Sequence, residues 1–171
     1  MKKHLVEIKA RTTTHDRQRD LLRAAGARHH ATDHQLDHYY NVPAGRLKLR
    51  AGTTERSLIH YHRPDQAGPK DSDVSLTLFP DGVPAGLHET LDRALGTWTI
   101  VDKRREIYFI DNVKFHLDRV AGLGTFLEIE AIGDTADEHD RLLQQCNHYR
   151  AYLGVTDDQL IDVSYSDLLS R

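Results

Sequence analysis

The chain has 171 residues, 39% of them hydrophobic and 29% charged, with 23 basic against 26 acidic side chains and a net charge of −3. This describes one ordinary folded domain over residues 1–171 and excludes a disordered tail, and no apolar run reaches the roughly 20 residues that span a bilayer. The near-balanced charge argues against a protein that holds nucleic acid by bulk attraction, and one cysteine, Cys146, excludes an internal disulfide.

The opening Met1-Lys2-Lys3-His4 has no apolar signal core, so a cytoplasmic location is the default expectation. A first strand is predicted from His4 to Arg11, where Val6, Ile8 and Ala10 alternate with Glu7, Lys9 and Arg11. A helix follows from Asp16 to Ala25, with Thr14 as its cap and Gly26 as its stop. Four strands come next: Gln35 to Asn41, Arg46 to Ala51, Ser57 to Arg63 and Val74 to Phe79. Pro43-Ala44-Gly45 and Gly52-Thr53-Thr54 read as turns, and Pro64 to Ser72 as a loop.

A second helix is predicted from Leu87 to Leu95. Three further strands, Trp98 to Asp111, Val113 to Val120 and Thr125 to Ile132, are joined by turns at Asp111-Asn112 and Gly122-Leu123-Gly124. The last long helix runs from Asp134 to Leu153, where Leu142, Cys146, Tyr149 and Leu153 recur at helical spacing. The short tail, Val163 to Leu169, is expected to dock on the sheet. Many strands at hairpin spacing predict an α+β fold, an eight-stranded antiparallel β-barrel with flanking helices. A barrel of that size can hold one small ligand.

Charged residues recur two apart on these strands, and such residues share a face. The sets are Glu7 and Lys9; Arg46, Lys48 and Arg50; Lys103 and Arg105; Lys114, His116 and Asp118; Glu128 and Glu130. Mostly apolar residues interleave them, although Arg104 and Glu106 interrupt the third set. Two arrangements fit. Charged faces can meet water over an apolar core, as in most antiparallel sheets, or they can point into the barrel while the apolar faces pack outward. The signs favour the second. Arg46, Lys48 and Arg50 are purely basic, and Glu128 and Glu130 purely acidic. Paired carboxylates suit a hard divalent cation, and a basic face suits phosphate oxygens.

Leu5-Val6-Glu7-Ile8-Lys9 resembles the N-terminal Glu-x-Glu-x-Lys motif of the CYTH family, the triphosphate tunnel metalloenzymes, with Leu5 in place of the first glutamate. Gly45 to Arg50, Leu58 to Pro64, Lys103 to Tyr108 and Phe115 to Asp118 resemble successive family strands, as does Gly122 to Glu130. Ser164 to Leu169 resembles the tail of class IV adenylate cyclases. The resemblance covers nearly the whole chain and rests on the order and spacing of the motifs.

It implies a tunnel that binds a nucleoside triphosphate or another triphosphate with Mg²⁺ or Mn²⁺, and a possible homodimer; the charge balance and the lack of a long apolar run already argue against nucleic-acid and membrane partners. Carried over by motif, Lys9, Lys48, Arg50, Arg63, Lys103 and Arg105 grip phosphate, while Glu7, Asp118, Glu128 and Glu130 hold metal. Lys9, Arg50, Lys103, Arg105 and Asp118 form the expected catalytic set. Three activities follow: class IV adenylate cyclase-like conversion of ATP to cyclic AMP and pyrophosphate, hydrolysis of an inorganic or organic triphosphate, or nucleotide or polyphosphate binding without catalysis. Leu5 favours the last, because leucine cannot ligate a metal.

The 12 histidines invite a zinc reading. His29-His30, His34 and His38, and His60 and His62 lack paired cysteines and regular spacing, so they are read as surface residues. No P-loop, GxSxG elbow or GxGxxG fingerprint occurs.

Overall fold

The computed structural model describes residues 2–62 and 66–171. Eight strands close into one antiparallel barrel: β1 (Lys2–Arg11), β2 (Arg28–Tyr40), β3 (Arg46–Gly52), β4 (Arg56–His62), β5 (Lys70–Leu78), β6 (Thr97–Ile110), β7 (Val113–Val120) and β8 (Gly124–Gly133). Their order round the barrel is β1-β5-β4-β3-β2-β6-β7-β8, with β8 closing on β1. Four helices flank it: α1 (His15–Ala24), α2 (Leu87–Leu95), α3 (His139–Tyr152) and α4 (Tyr165–Leu169). No helix among the described residues is long and apolar enough to cross a membrane.

The barrel has two apolar clusters. The outer one joins Val6, Ile8, Phe115, Leu117, Leu127 and Ile129 to Leu22 of α1 and to Leu142 and Cys146 of α3. These strand residues alternate with the charged positions, so the helices cover the apolar face and the charged face is left inside. Burial of about 25 cal/mol per Å² of apolar surface drives this arrangement. The second cluster lies inside one end of the barrel, where Tyr39, Tyr61, Val101, Val120 and Phe126 meet Tyr165. The tail therefore plugs that end. Ser164 caps α4 by accepting the Asp167 backbone N–H, and Arg46 ties Asp167 to β3 at 2.9 Å.

The turns follow their local chemistry. Asp111 takes φ 49° in the two-residue Asp111-Asn112 turn, where Ile110 pairs with Val113. Primed hairpin turns need such positive φ and tolerate aspartate and asparagine there. The expected stops at Gly26 and Gly154 hold, with positive φ at both.

Several boundaries differ from expectation. Strand β2 begins at Arg28, seven residues before the predicted Gln35. Apart from Ala31, Arg28 to His34 is polar, so no apolar alternation marks it; pairing with β6 makes it a strand. Part of the expected Pro64–Ser72 loop is strand, since β5 begins at Lys70, which pairs with Glu7. The last long helix, α3, is preceded by a 3-10 turn at Ala136–Glu138, capped by Thr135 rather than Asp134.

Leu142 is fully buried between α3 and the sheet. Leu142→Ala is expected to lower unfolding free energy by about 2–5 kcal/mol in urea titrations. A loss below about 1 kcal/mol would show that α3 is not part of the core.

Candidate functional site

Lys3, Leu5, Glu7 and Lys9 of β1 face the barrel interior, which encloses a cavity of about 500 Å³. Lys48 and Arg50 of β3, Lys103 and Arg105 of β6, Lys114 and His116 of β7, and Glu128 and Glu130 of β8 line the same cavity. The inward arrangement of the charged faces is the one that forms.

The basic wall is built on buried acids. Asp37 of β2 is opposite Arg50 in the β2–β3 register. Arg50 Nε and Nη2 donate to its two oxygens at 2.8 and 2.9 Å. Lys103 Nζ donates to Asp37 Oδ2 at 2.7 Å, and Lys48 Nζ lies 3.3 Å from the same oxygen. Burial alone would raise the Asp37 carboxyl, but Arg50, Lys103 and Lys48 outweigh it and hold the group well below the usual carboxylate range. Lys103 moves the other way: burial, only partly offset by Asp37, brings it down to about 7, and Arg50, Arg105 and Lys48 add to the fall.

Glu55 forms a second anchor, accepting from Arg50 at 3.0 Å and from Lys114 at 2.6 Å. Its position is set by Asp33, which accepts the backbone N–H groups of Thr54 and Glu55 at 2.9 and 3.0 Å and also the Thr53 hydroxyl. Burial would raise Asp33, but these donors and Gln35 hold it at about 2. A Cβ on Gly52 would lie 2.6 Å from Asp33 Oδ2 and 2.3 Å from the Glu55 carbonyl oxygen, so glycine is needed where this turn closes.

Opposite stands Glu128. It takes Lys9 at 3.2 Å, Arg105 Nη2 at 3.2 Å and His116 Nδ1 at 3.1 Å. Burial again raises it, but Lys9, Arg105 and His116 keep it well below its ordinary value. Burial, with Arg105, lowers His116. Glu130 lies 3.8 Å from His116 Nδ1, and Glu7 is opposite Glu130 in the β1–β8 register. Like charges placed directly opposite are destabilising without a cation between or near them.

Of the expected phosphate residues, Lys9, Lys48, Arg50, Lys103 and Arg105 face one cavity. Arg63 lies outside the described residues. Of the expected metal residues, Glu7, Glu128 and Glu130 line the cavity. Asp118 departs from them. Arg105 donates to both of its oxygens, at 2.7 and 2.5 Å, and the Tyr165 hydroxyl donates to Oδ2 at 2.7 Å. With both oxygens occupied and no exposure to solvent, its placement suits a counter-ion that positions Arg105, not a metal ligand. Sequence reading missed Asp37, Glu55 and Tyr165. Asp37 sits in step with Asp33 and Gln35 on β2, an alternation visible in the sequence, but its meaning needed the register with Arg50.

The CYTH domain model matches residues 3–165. The chain belongs to the CYTH domain family. Over 68 residues it is 34% identical to the protein named "Putative adenylate cyclase MJ0240" of Methanocaldococcus jannaschii, a match covering 40% of this chain and 39% of that relative. The barrel resembles the X-ray structure of a "putative adenylate cyclase" of Vibrio parahaemolyticus, with TM-score 0.78, 17% identity and 99% of each chain covered. It also resembles "Putative adenylyl cyclase HpAC1" of Hippeastrum, with TM-score 0.59, 13% identity, and 98% and 93% of the two chains covered.

The acidic side of this CYTH cavity fits a divalent ion. His116, Glu128 and Glu130 each offer a ligand atom, all within 4.8 Å of one another. Glu7 adds a carboxylate beside Glu130. Oxygen-rich sets of this kind suit Mg²⁺ and Mn²⁺, with one imidazole tolerated better by Mn²⁺. Leu5 is opposite Ile132 in the same β1–β8 register, so the cavity turns apolar one step beyond Glu7 and Glu130.

Two outcomes test these electrostatics. Asp37→Asn is expected to destabilise by about 3–5 kcal/mol in denaturant titration, because it removes the counter-ion of buried cations. A loss under about 1 kcal/mol would contradict its role. Lys103 binds its proton less tightly folded than unfolded, where its ordinary value is 10.5. The unfolded chain therefore holds more protons between the two values. Stability of wild type relative to Lys103→Met is expected to rise with pH above 7, by up to about 1.4 kcal/mol per unit. Parallel pH profiles would contradict it.

Proposed function

We propose that the chain is a divalent-metal-dependent enzyme acting on a triphosphate, with ATP as the first candidate and cyclic AMP and pyrophosphate as products. The observation that carries this reading is a cavity within the barrel in which Lys9, Lys48, Arg50, Lys103 and Arg105 face the carboxylates of Glu7, Glu128 and Glu130. One oxygen-rich polyanion together with a divalent ion would satisfy both walls. A metal held by Glu7, Glu128 and Glu130 would neutralise phosphate charge and orient the reacting phosphorus.

The chain's own part is binding and charge stabilisation. Asp37 fixes the Arg50 guanidinium, and Asp118 fixes that of Arg105. Such pre-positioned cations stabilise charge appearing on a leaving group without reorganising. In cyclisation, the ribose 3′-oxygen forms a bond to the α-phosphorus, the bond from that phosphorus to the bridging oxygen breaks, and pyrophosphate leaves with the electron pair. The 3′-hydroxyl proton is lost in the same overall step. Pyrophosphate departure against the basic wall is the part this geometry favours.

A second feature supports a substrate with an organic substituent. Ile59, Val74, Leu76, Leu78 and Phe79 line the cavity on the β4–β5 side, with Leu5 and Ile132. Inorganic triphosphate has nothing to set against that wall, whereas a nucleoside has a ribose and a base. The alternative reaction, triphosphate hydrolysis, is favoured by a neighbour: HpAC1 is described as having a dominant triphosphatase activity. The same basic wall serves either reaction, and the position of the scissile phosphorus decides between them.

Incubation with ATP or inorganic triphosphate and Mg²⁺ or Mn²⁺, followed by product identification, distinguishes the two. Cyclic AMP with pyrophosphate is expected. Orthophosphate would establish the hydrolase instead, and tight binding without turnover would overturn the enzymatic reading. Leu5→Glu is expected to tighten Mn²⁺ binding, measured calorimetrically, by about 10-fold or more through an added oxygen ligand. Unchanged Mn²⁺ affinity would remove Leu5 from the account of the metal site.

A further inference from the structure

A second group of metal-ligating side chains lies outside the cavity. On β1, Lys3, Leu5, Glu7 and Lys9 point inward, so His4 points outward. On β5, Ser72 and Val74 line the cavity, so Asp71 and Asp73 are on the outer face with His4. His139, the first residue of α3, completes the group. Asp71 Oδ1 lies 2.9 Å from His4 Nε2 and 2.7 Å from His139 Nδ1. The three ligand atoms all fall within 4.8 Å of one another.

His4 is the telling member. It is 8% exposed, and neither ring nitrogen makes a hydrogen bond, although Nε2 is only 2.9 Å from Asp71 Oδ1. The separation is that of a hydrogen bond, but the direction is not. A buried imidazole without hydrogen bonds is costly. An ion ligated by Nε2 and by the Asp71 oxygen would satisfy it, since both lone pairs would then point at the same centre. His4 Nδ1 lies 3.6 Å from Asp73 Oδ1, too far for a hydrogen bond, but with Nε2 on an ion that carboxylate is the one placed to orient the ring.

We propose that His4, Asp71 and His139 form a second metal site, on the barrel exterior, that takes Zn²⁺ or a similar transition-metal ion. Two imidazoles and one carboxylate make a nitrogen-rich set, which suits zinc-like ions rather than Mg²⁺. The Asp71 and His139 side chains are half and two-fifths exposed, with 51% and 39% of their surface accessible, which leaves room for water in a fourth position. The site joins residues 4, 71 and 139, so a bound ion would pin the β1–β5 seam to the start of α3. It is independent of the reaction proposed for the cavity.

Co²⁺, which reports four-coordinate nitrogen and oxygen ligation through visible absorption, is the probe. Wild type is expected to show the band with one Co²⁺ per chain, displaced by one equivalent of Zn²⁺. Asp71→Asn and His139→Ala alter side chains at the surface and are expected to weaken binding at least 10-fold, with unchanged far-ultraviolet circular dichroism. Glu130→Gln, in the cavity, is expected to retain the band. Absence of the band in wild type, its survival in both outer variants, or its loss in Glu130→Gln alone would each overturn the proposal.

Discussion

Three cations, Lys48, Arg50 and Lys103, converge on the Asp37 carboxylate inside the barrel, and the other features of the site depend on that convergence. Taking several charges out of water costs several kcal/mol per ion unless each finds a partner. Asp37 partners all three and is itself fully buried. It leaves the inner wall positive because one carboxylate serves three cations. Asp118 does the same for Arg105 on the adjoining wall, and Glu55 joins Arg50 to Lys114. The wall is thus held rigid by buried anions and still carries net positive charge toward the cavity.

This interior is possible because the hydrophobic driving force is spent elsewhere. Val6, Ile8, Phe115 and Ile129 face outward, and α1 and α3 cover them. The inner apolar cluster around Phe126 and Tyr165 is confined to one end. Tyr165 belongs to both systems: its ring packs with Phe126, Lys9 Nζ stands 3.9 Å over it, and its hydroxyl reaches Asp118. The C-terminal tail therefore closes the barrel and helps fix the charge network.

The barrel was legible in the sequence because its alternation is nearly free of exceptions on β1, β3, β7 and β8. Charges two apart with apolar residues between them also marked most of the charged residues that line the cavity. What escaped was what needs register. Asp37 reads as one polar residue on a polar strand until Arg50 is opposite it. Arg28 to His34 reads as irregular because neither face is apolar, yet β6 pairs with it on both sides of a register shift at His29/Ala31. The family resemblance placed Asp118 with the metal carboxylates, but it stands opposite Arg105 in the β6–β7 register, and Arg105 and Tyr165 occupy its oxygens. His4 and His139 escaped for a related reason, since 135 positions of chain separate them and only the packing of α3 on β1 joins them.

A basic wall built to recognise a chain of phosphates must tell tripolyphosphate from orthophosphate, which calorimetric titration with the two anions measures. One tripolyphosphate per chain is expected, bound at least 100-fold more tightly than orthophosphate, with the advantage lost in Arg50→Ala that remains folded. Equal affinity for the two anions, or an advantage that survives in folded Arg50→Ala, would contradict it.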